Sequence, residues 1–169
     1  VALFIPALVV ILLDQFTKHL FWRVGQNHEI IPGWFNITLV KNAGAAFGMF
    51  QGARVFFVTA SFLAVGLIIY LGLRLPASQR TRRILLGLIL GGAIGNLIDR
   101  VASGEVIDFL QIGVAGHYWP VFNIADAGVT VGAALLILYA LRTQRPFVAV
   151  APPASEEISS STADDSLQR

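Results

Sequence analysis

The sequence predicts an all-α polytopic membrane protein with four transmembrane helices and a small sheet outside the bilayer. Three observations predict it. Hydrophobic residues fill 56 % of 169 positions and charged residues 13 %, against roughly 25 % charged in a soluble domain. Mean hydropathy is +0.72. The apolar residues gather into four long runs, each near the roughly 20 residues that cross hydrocarbon. Helices are the form such runs take, because lipid offers no partner for backbone polar groups.

The first run extends from about Val1 to Trp22 and is interrupted by Asp14, Gln15 and Lys18. A secretory signal peptide is the competing reading. No small-residue cleavage pattern follows the run, and its charges come late rather than early. Asp14 and Lys18 stand one helical turn apart on one face, a spacing that allows a local ion pair. Gln15 can hydrogen-bond between helices. Structural neutralisation and substrate contact both remain open for Asp14.

The segment Ile30 to Val40 reads IIPGWFNITLV. Its β-branched and aromatic residues around a Pro-Gly turn favour short strands. Lys41 to Gly48 then reads KNAGAAFG, in which Asn42, Gly44 and Gly48 suit turns or close approach. We expect a small sheet at the outer membrane surface. Trp22, Trp34, Phe35, Tyr118 and Trp119 suit interfacial anchoring.

The second run covers about Val55 to Leu73. The third covers Ile84 to Ile98 and can extend through Ala102, which gives about 28 Å of helix. The fourth covers about Phe122 to Leu141. Gly87, Gly91 and Gly95 recur on one face of the third run, and Gly128 and Gly132 on the fourth. Small residues at that spacing allow close helix approach in membranes. From about residue 146 the chain turns Ser-rich and acidic, which predicts a disordered cytoplasmic tail at 146–169.

Orientation follows from charge. Arg74, Arg80, Arg82 and Arg83 lie between the second and third runs, and Arg142 and Arg145 follow the fourth. Basic ends face the cytoplasm. Both termini are therefore expected inside and the two longer loops outside, although the asymmetry is modest.

Several chemistries are excluded or unsupported. There is no cysteine, which removes disulfides, thiol catalysis and thiolate metal sites. His19, His28 and His117 are scattered without metal-ligand spacing, so no metal and no cofactor are expected. No Gly-x-Ser-x-Gly elbow is present. The basic residues form no aromatic-interleaved patch, so nucleic acid is not an expected partner.

The acidic residues carry the chemistry. Asp14, Asp99 and Asp126 lie in or at the ends of the apolar runs, where an unpaired charge is costly. Asn96, Asp99 and Arg100 share the outer end of the third run, and an Asp99–Arg100 clamp is the plain reading. Asp108 sits in Val106-Ile107-Asp108-Phe109. Asp126 closes Phe122-Asn123-Ile124-Ala125-Asp126, where Asn123 can cap the fourth helix. Topology puts Asp108 and Asp126 on the same outer side. Two close carboxylates share a proton, so one can activate water while the other donates to a carbonyl oxygen. At this level the pair fits a proteolytic dyad or a proton relay. A small transporter and a structural subunit packed through its glycine ridges are the rival classes.

These motifs resemble the bacterial lipoprotein signal peptidases, also called signal peptidase II. The matching segments are Asp14-Gln15-Phe16-Thr17-Lys18, Asn42-Ala43-Gly44-Ala45-Ala46-Phe47 and Gly91 through Arg100. Val106-Ile107-Asp108-Phe109 and Phe122-Asn123-Ile124-Ala125-Asp126 complete the set. The ordered set spans roughly residues 8–141. The resemblance implies a four-helix peptidase domain over residues 1–145, with an extracytoplasmic β-cradle at about 23–53. It implies an aspartic endopeptidase of the bacterial cytoplasmic (inner) membrane. Such enzymes remove signal peptides from diacylglyceryl-modified prolipoproteins, cleaving just before the lipid-bearing cysteine. Asp108 and Asp126 match the catalytic pair. Asn42, Gly44, Asn96, Asp99, Arg100 and Asn123 match positions that bind substrate or support the pocket. Asp14 and Lys18 match a first-span motif tied to folding and stability. The implied partners are prolipoprotein substrates, membrane phospholipids and globomycin-type inhibitors, and nothing in the sequence requires more than a monomer.

Overall fold

The computed structural model describes residues 1–24, 27–44 and 54–143. The expected tail at 146–169 and the Ala45–Gly48 part of the glycine-rich motif lie outside the described residues. The helices are α1 (Phe4–Val24), α2 (Arg54–Arg74), α3 (Arg80–Ala102) and α4 (Ile124–Thr143). The strands are β1 (His28–Ile31), β2 (Phe35–Asn42), β3 (Val106–Val114) and β4 (His117–Tyr118). All four helices are long and apolar enough to cross a membrane.

α3 is the centre of the bundle and packs on α1, α2 and α4. Glycine makes this possible. A Cβ on Gly91 would lie 2.6 Å from the Ala7 carbonyl oxygen, and one on Gly95 would lie 2.7 Å from Asp14 Oδ2. Backbones that close exclude any larger residue. Burial is reversed relative to a soluble fold. Leu12, Phe16, Leu63 and Ile137 are exposed, while Asp14, Lys18, Asn96, Asp99 and Asn123 are buried. Apolar side chains on the outside match a lipid solvent, and polar groups inside find partners there.

Three helix starts differ from the sequence reading, α1 beginning at Phe4 and not at about Val1. α3 begins at Arg80, ahead of the expected Ile84. The arginine-rich turn is helical because its charges are accommodated: Arg82 donates to Gln79 Oε1 at 2.7 Å and lies over the Tyr139 ring at 5.8 Å. α4 begins at Ile124, past the expected Phe122. Phe122 is instead bridged to Leu110, its N–H donating to Leu110 O at 2.9 Å and its carbonyl accepting from Leu110 N at 2.8 Å.

The sheet has strand order β1-β2-β3-β4, antiparallel throughout. Both loops that the sequence reading assigns to the outside contribute to it, so both stand at one end of the bundle. Only the first was expected to form strands. Asp108 therefore lies on a strand rather than in a loop beyond α3, and it pairs with Val40 across β2–β3. Ala115 and Gly116 have φ of 52° and 81°. Positive φ at both central residues is the tight-hairpin geometry that matches strand twist.

Candidate active site

Asp108 and Asp126 come from different kinds of element. β3 carries Asp108 down to the edge of the bundle, where it is 2 % exposed. Asp126 sits in the first turn of α4. That turn is closed reciprocally. Asp126 N–H donates to Asn123 Oδ1 at 2.9 Å, and Asn123 N–H donates to Asp126 Oδ2 at 3.1 Å. This is a capping box with Asp in the usual Glu position, and it fixes the Asp126 side chain to the helix start.

Three amide side chains hold the two carboxylates. Asn42 Nδ2 donates to Asp108 Oδ2 at 3.1 Å, and Asn123 Nδ2 donates to Asp108 Oδ1 at 2.7 Å. Asn96 Nδ2 donates to Asp126 Oδ1 at 2.7 Å. Asn123 Nδ2 also reaches Asn96 Oδ1 at 3.0 Å, which joins the two halves. Gly44 N–H donates to Asn42 Oδ1 at 3.0 Å and so turns the Asn42 amide toward Asp108.

Burial and a neighbouring charge both act on Asp108. Burial pushes the Asp108 carboxyl up to about 7, and the negative charge of Asp126 pushes the same way. Hydrogen bonds from Asn42 and Asn123 act in the opposite direction and only partly offset this. A carboxyl with its titration near neutrality can hold and release a proton under working conditions.

Below the pair lies a buried ionic cluster. Lys18 Nζ is 2.8 Å from both Asp14 Oδ2 and Asp99 Oδ2. Gln15 Nε2 donates to Asp14 Oδ2 at 3.1 Å, to Asp99 Oδ1 at 3.1 Å and to Gly95 O at 3.3 Å. The Asp99–Arg100 clamp expected from sequence does not form. Asp99 faces α1 and pairs with Lys18, whereas Arg100 turns to the other side and lies 5.5 Å over the Phe57 ring. Adjacent helix positions point about 100° apart, so one carboxylate cannot serve both directions.

A cavity of about 840 Å³ opens beneath the sheet, lined in part by Asn42, Gly44, Asn96, Arg100, Asp108 and Asp126. A second, of about 360 Å³, lies over α3 between α2 and α4. It shares Asn96, Arg100, Asp126 and Thr130 with the first. Six of the sequence-selected residues thus meet at one void, Asn123 supports it from behind, and Asp14, Lys18 and Asp99 lie deeper. Gln15 was seen only as a helix-to-helix donor, not as a clamp on two carboxylates. Phe57 was missed, since an aromatic in an apolar run carries no signal.

The family model described as signal peptidase (SPase) II matches residues 6–142. The chain belongs to the signal peptidase II family. It is 47 % identical to the lipoprotein signal peptidase of Symbiobacterium thermophilum, over 82 % of this chain and 93 % of that one. It is 41 % identical to the lipoprotein signal peptidase of Syntrophus aciditrophicus, over 83 % and 92 %. A solved bacterial membrane enzyme superposes with a TM-score of 0.73 at 33 % identity, covering 86 % of this chain and 92 % of the other. Membership in this family makes the chain a multi-pass membrane peptidase.

Proposed function

We propose that this chain is an aspartic endopeptidase of the bacterial cytoplasmic membrane. It removes the signal peptide from diacylglyceryl-modified prolipoproteins and cleaves immediately before the lipid-bearing cysteine. The observation that carries this reading is the pair Asp108 and Asp126, held by separate amide donors at one cavity on the edge of the bundle.

The signal peptide's helix enters from the lipid through the gap between α2 and α4, where the second cavity lies. The acyl chains remain in the bilayer. The scissile peptide then crosses beneath the sheet. Ionised Asp126 takes a proton from a water molecule, whose oxygen attacks the carbonyl carbon. Protonated Asp108 donates to the carbonyl oxygen, which stabilises the tetrahedral intermediate. Collapse of the intermediate breaks the C–N bond, and the leaving nitrogen takes a proton from the pair. Asn42 and Asn123 keep Asp108 oriented, and Arg100 faces the substrate from the junction of the two cavities. A globomycin-type cyclic peptide would occupy the same cavity. The site faces the outside of the cell, both termini face the cytoplasm, and the monomer suffices because one chain supplies the whole site.

Purified enzyme in proteoliposomes should cleave a diacylglyceryl-modified precursor at the peptide bond before the modified cysteine, detected by mass. The unlipidated precursor should be processed at least tenfold more slowly, about 1.4 kcal/mol in the barrier. Equal rates would reject lipid-dependent recognition.

A further inference from the structure

An amide side chain can be turned end for end, and the two ends have opposite chemistry. Asn96 is buried, and its orientation decides what Asp126 meets. Its oxygen accepts from Lys18 Nζ at 3.2 Å and from Asn123 Nδ2 at 3.0 Å, while its NH2 donates to Asp126 Oδ1 at 2.7 Å. An ammonium group has donors only, so Lys18 can face only the oxygen end of Asn96. Asn123 is fixed in a similar way. Its oxygen accepts from the Asp126 backbone N–H, which leaves its NH2 for Asp108 and Asn96.

Lys18 is held in place by more than its own helix. Asp14 and Asp99 flank the ammonium at 2.8 Å each. Their remaining contacts lie beside the two carboxylates of the site. Asp14 Oδ1 accepts from Ala125 N at 2.9 Å, next to Asp126, and Asp99 Oδ2 accepts from Ile107 N at 3.2 Å, next to Asp108. The cluster therefore touches the backbone that carries each one.

We propose that Lys18 is a positioning residue for the cleavage reaction. It holds the oxygen of Asn96 toward the bundle interior, aims the Asn96 N–H at Asp126, and so keeps Asp126 the carboxylate that acts as base. This rests on the aspartic reading above. If Asn96 were reversed, its oxygen would face Asp126 and accept a hydrogen bond from the neutral acid. Its NH2 would then oppose the NH2 of Asn123. Reversal therefore favours the inactive protonation state. Helix pinning alone needs only the Asp14 and Asp99 contacts and makes no demand on the direction of Asn96.

The charged groups facing this region are Asp14 and Lys18 from α1, Asp99 and Arg100 from α3, Asp108 from β3 and Asp126 from α4. Arg54 of α2 is engaged with the Val101 carbonyl oxygen at 2.7 Å. Lys18→Met alone would leave an extra uncompensated buried charge. The comparison is therefore between Asp14→Asn and Asp14→Asn/Lys18→Met in the full chain. The first retains Lys18 on Asn96, and the second preserves the net buried charge of the native cluster while removing the ammonium. Steady-state cleavage is followed across pH and substrate concentration, per mole of folded enzyme.

Asp14→Asn removes one buried negative charge but leaves Lys18 on Asn96, so any shift should be common to both limbs and turnover should stay near native. The double variant should lose about tenfold in turnover with KM little changed, and the acid limb should move up by about one unit, with the alkaline limb nearly fixed. A native profile in the folded double variant overturns the proposal, as does an equal shift of both limbs, which would be a plain charge effect. If the double variant does not fold, Asn96→Leu supplies the test. Native turnover without the Asn96 N–H overturns the proposal just as directly. Activity in Asp108→Asn or Asp126→Asn would instead sink the aspartic reading, so the two failures are distinguishable.

Discussion

Asn123 has two separable duties, and substitution can divide them. Its oxygen caps α4 through the Asp126 N–H, and its NH2 serves Asp108 and Asn96. Losing an N-cap costs about 1 kcal/mol. Taking the Asn123 donor from buried Asp108 Oδ1, and leaving Asn96 Oδ1 with Lys18 alone, costs a further ~1–3 kcal/mol. Asn123→Ala should therefore destabilise the fold by on the order of 2–4 kcal/mol. Asn123→Ser restores a cap of similar quality, because the serine hydroxyl accepts from the same turn. It is too short to reach Asp108. Thermal unfolding in detergent micelles should show Ser recovering about 1 kcal/mol over Ala. Cleavage of a lipidated peptide, measured per folded enzyme, should remain low in both. Serine restoring full cleavage would refute the reasoning, since the amide donors to the pair would then be dispensable.

Other expectations follow from the same contacts. Asp108 is raised to about 7 from 3.8, so its protonated form suits the fold. Stability from this group is complete below pH 4, falls as pH rises toward 7, and is lost above that. Asp108→Asn should accordingly stabilise the protein at pH 8 by on the order of 4 kcal/mol and hardly at all near pH 4, which unfolding at the two pH values checks. Native cleavage should also decline above about pH 7, as Asp108 loses the proton it donates. Asp14→Ala removes one partner of Lys18 and the acceptor for Ala125 N–H; breaking such a buried pair should cost about 3–5 kcal/mol, visible as a lower unfolding temperature. Gly95→Ala would set a methyl group 2.7 Å from Asp14 Oδ2 and should cost about 1–3 kcal/mol by the same assay.

What could be read from the sequence depended on the range of the interaction. The helices were legible because an apolar run long enough to span lipid has few alternatives. Their starts were not, since Arg80 to Arg83 looked like a polar connection until Gln79 and Tyr139 supplied partners. β1 and β2 announced themselves through a Pro-Gly turn between β-branched residues. β3 did not, although Val106 to Val114 is bounded by Gly104 and Gly116, because Asp108, Gln111 and Gly113 break the apolar alternation of a half-buried strand. The Asp14–Lys18 pair was visible as helical spacing. The partnership of Lys18 with Asp99 was not, since only the close packing of α1 on α3 through Gly91 and Gly95 brings them together. Asp108 and Asp126 were picked out by their setting and by family resemblance. That Asn42, Asn96 and Asn123 divide them between separate donors required the three-dimensional arrangement.

The central claim is that Asp108 and Asp126 together perform the cleavage. The most direct measurement is single-turnover processing of a diacylglyceryl-modified precursor by Asp108→Asn and Asp126→Asn, each verified as folded in the membrane. Both variants should insert normally and release no signal peptide. Substantial cleavage by either one would contradict the account.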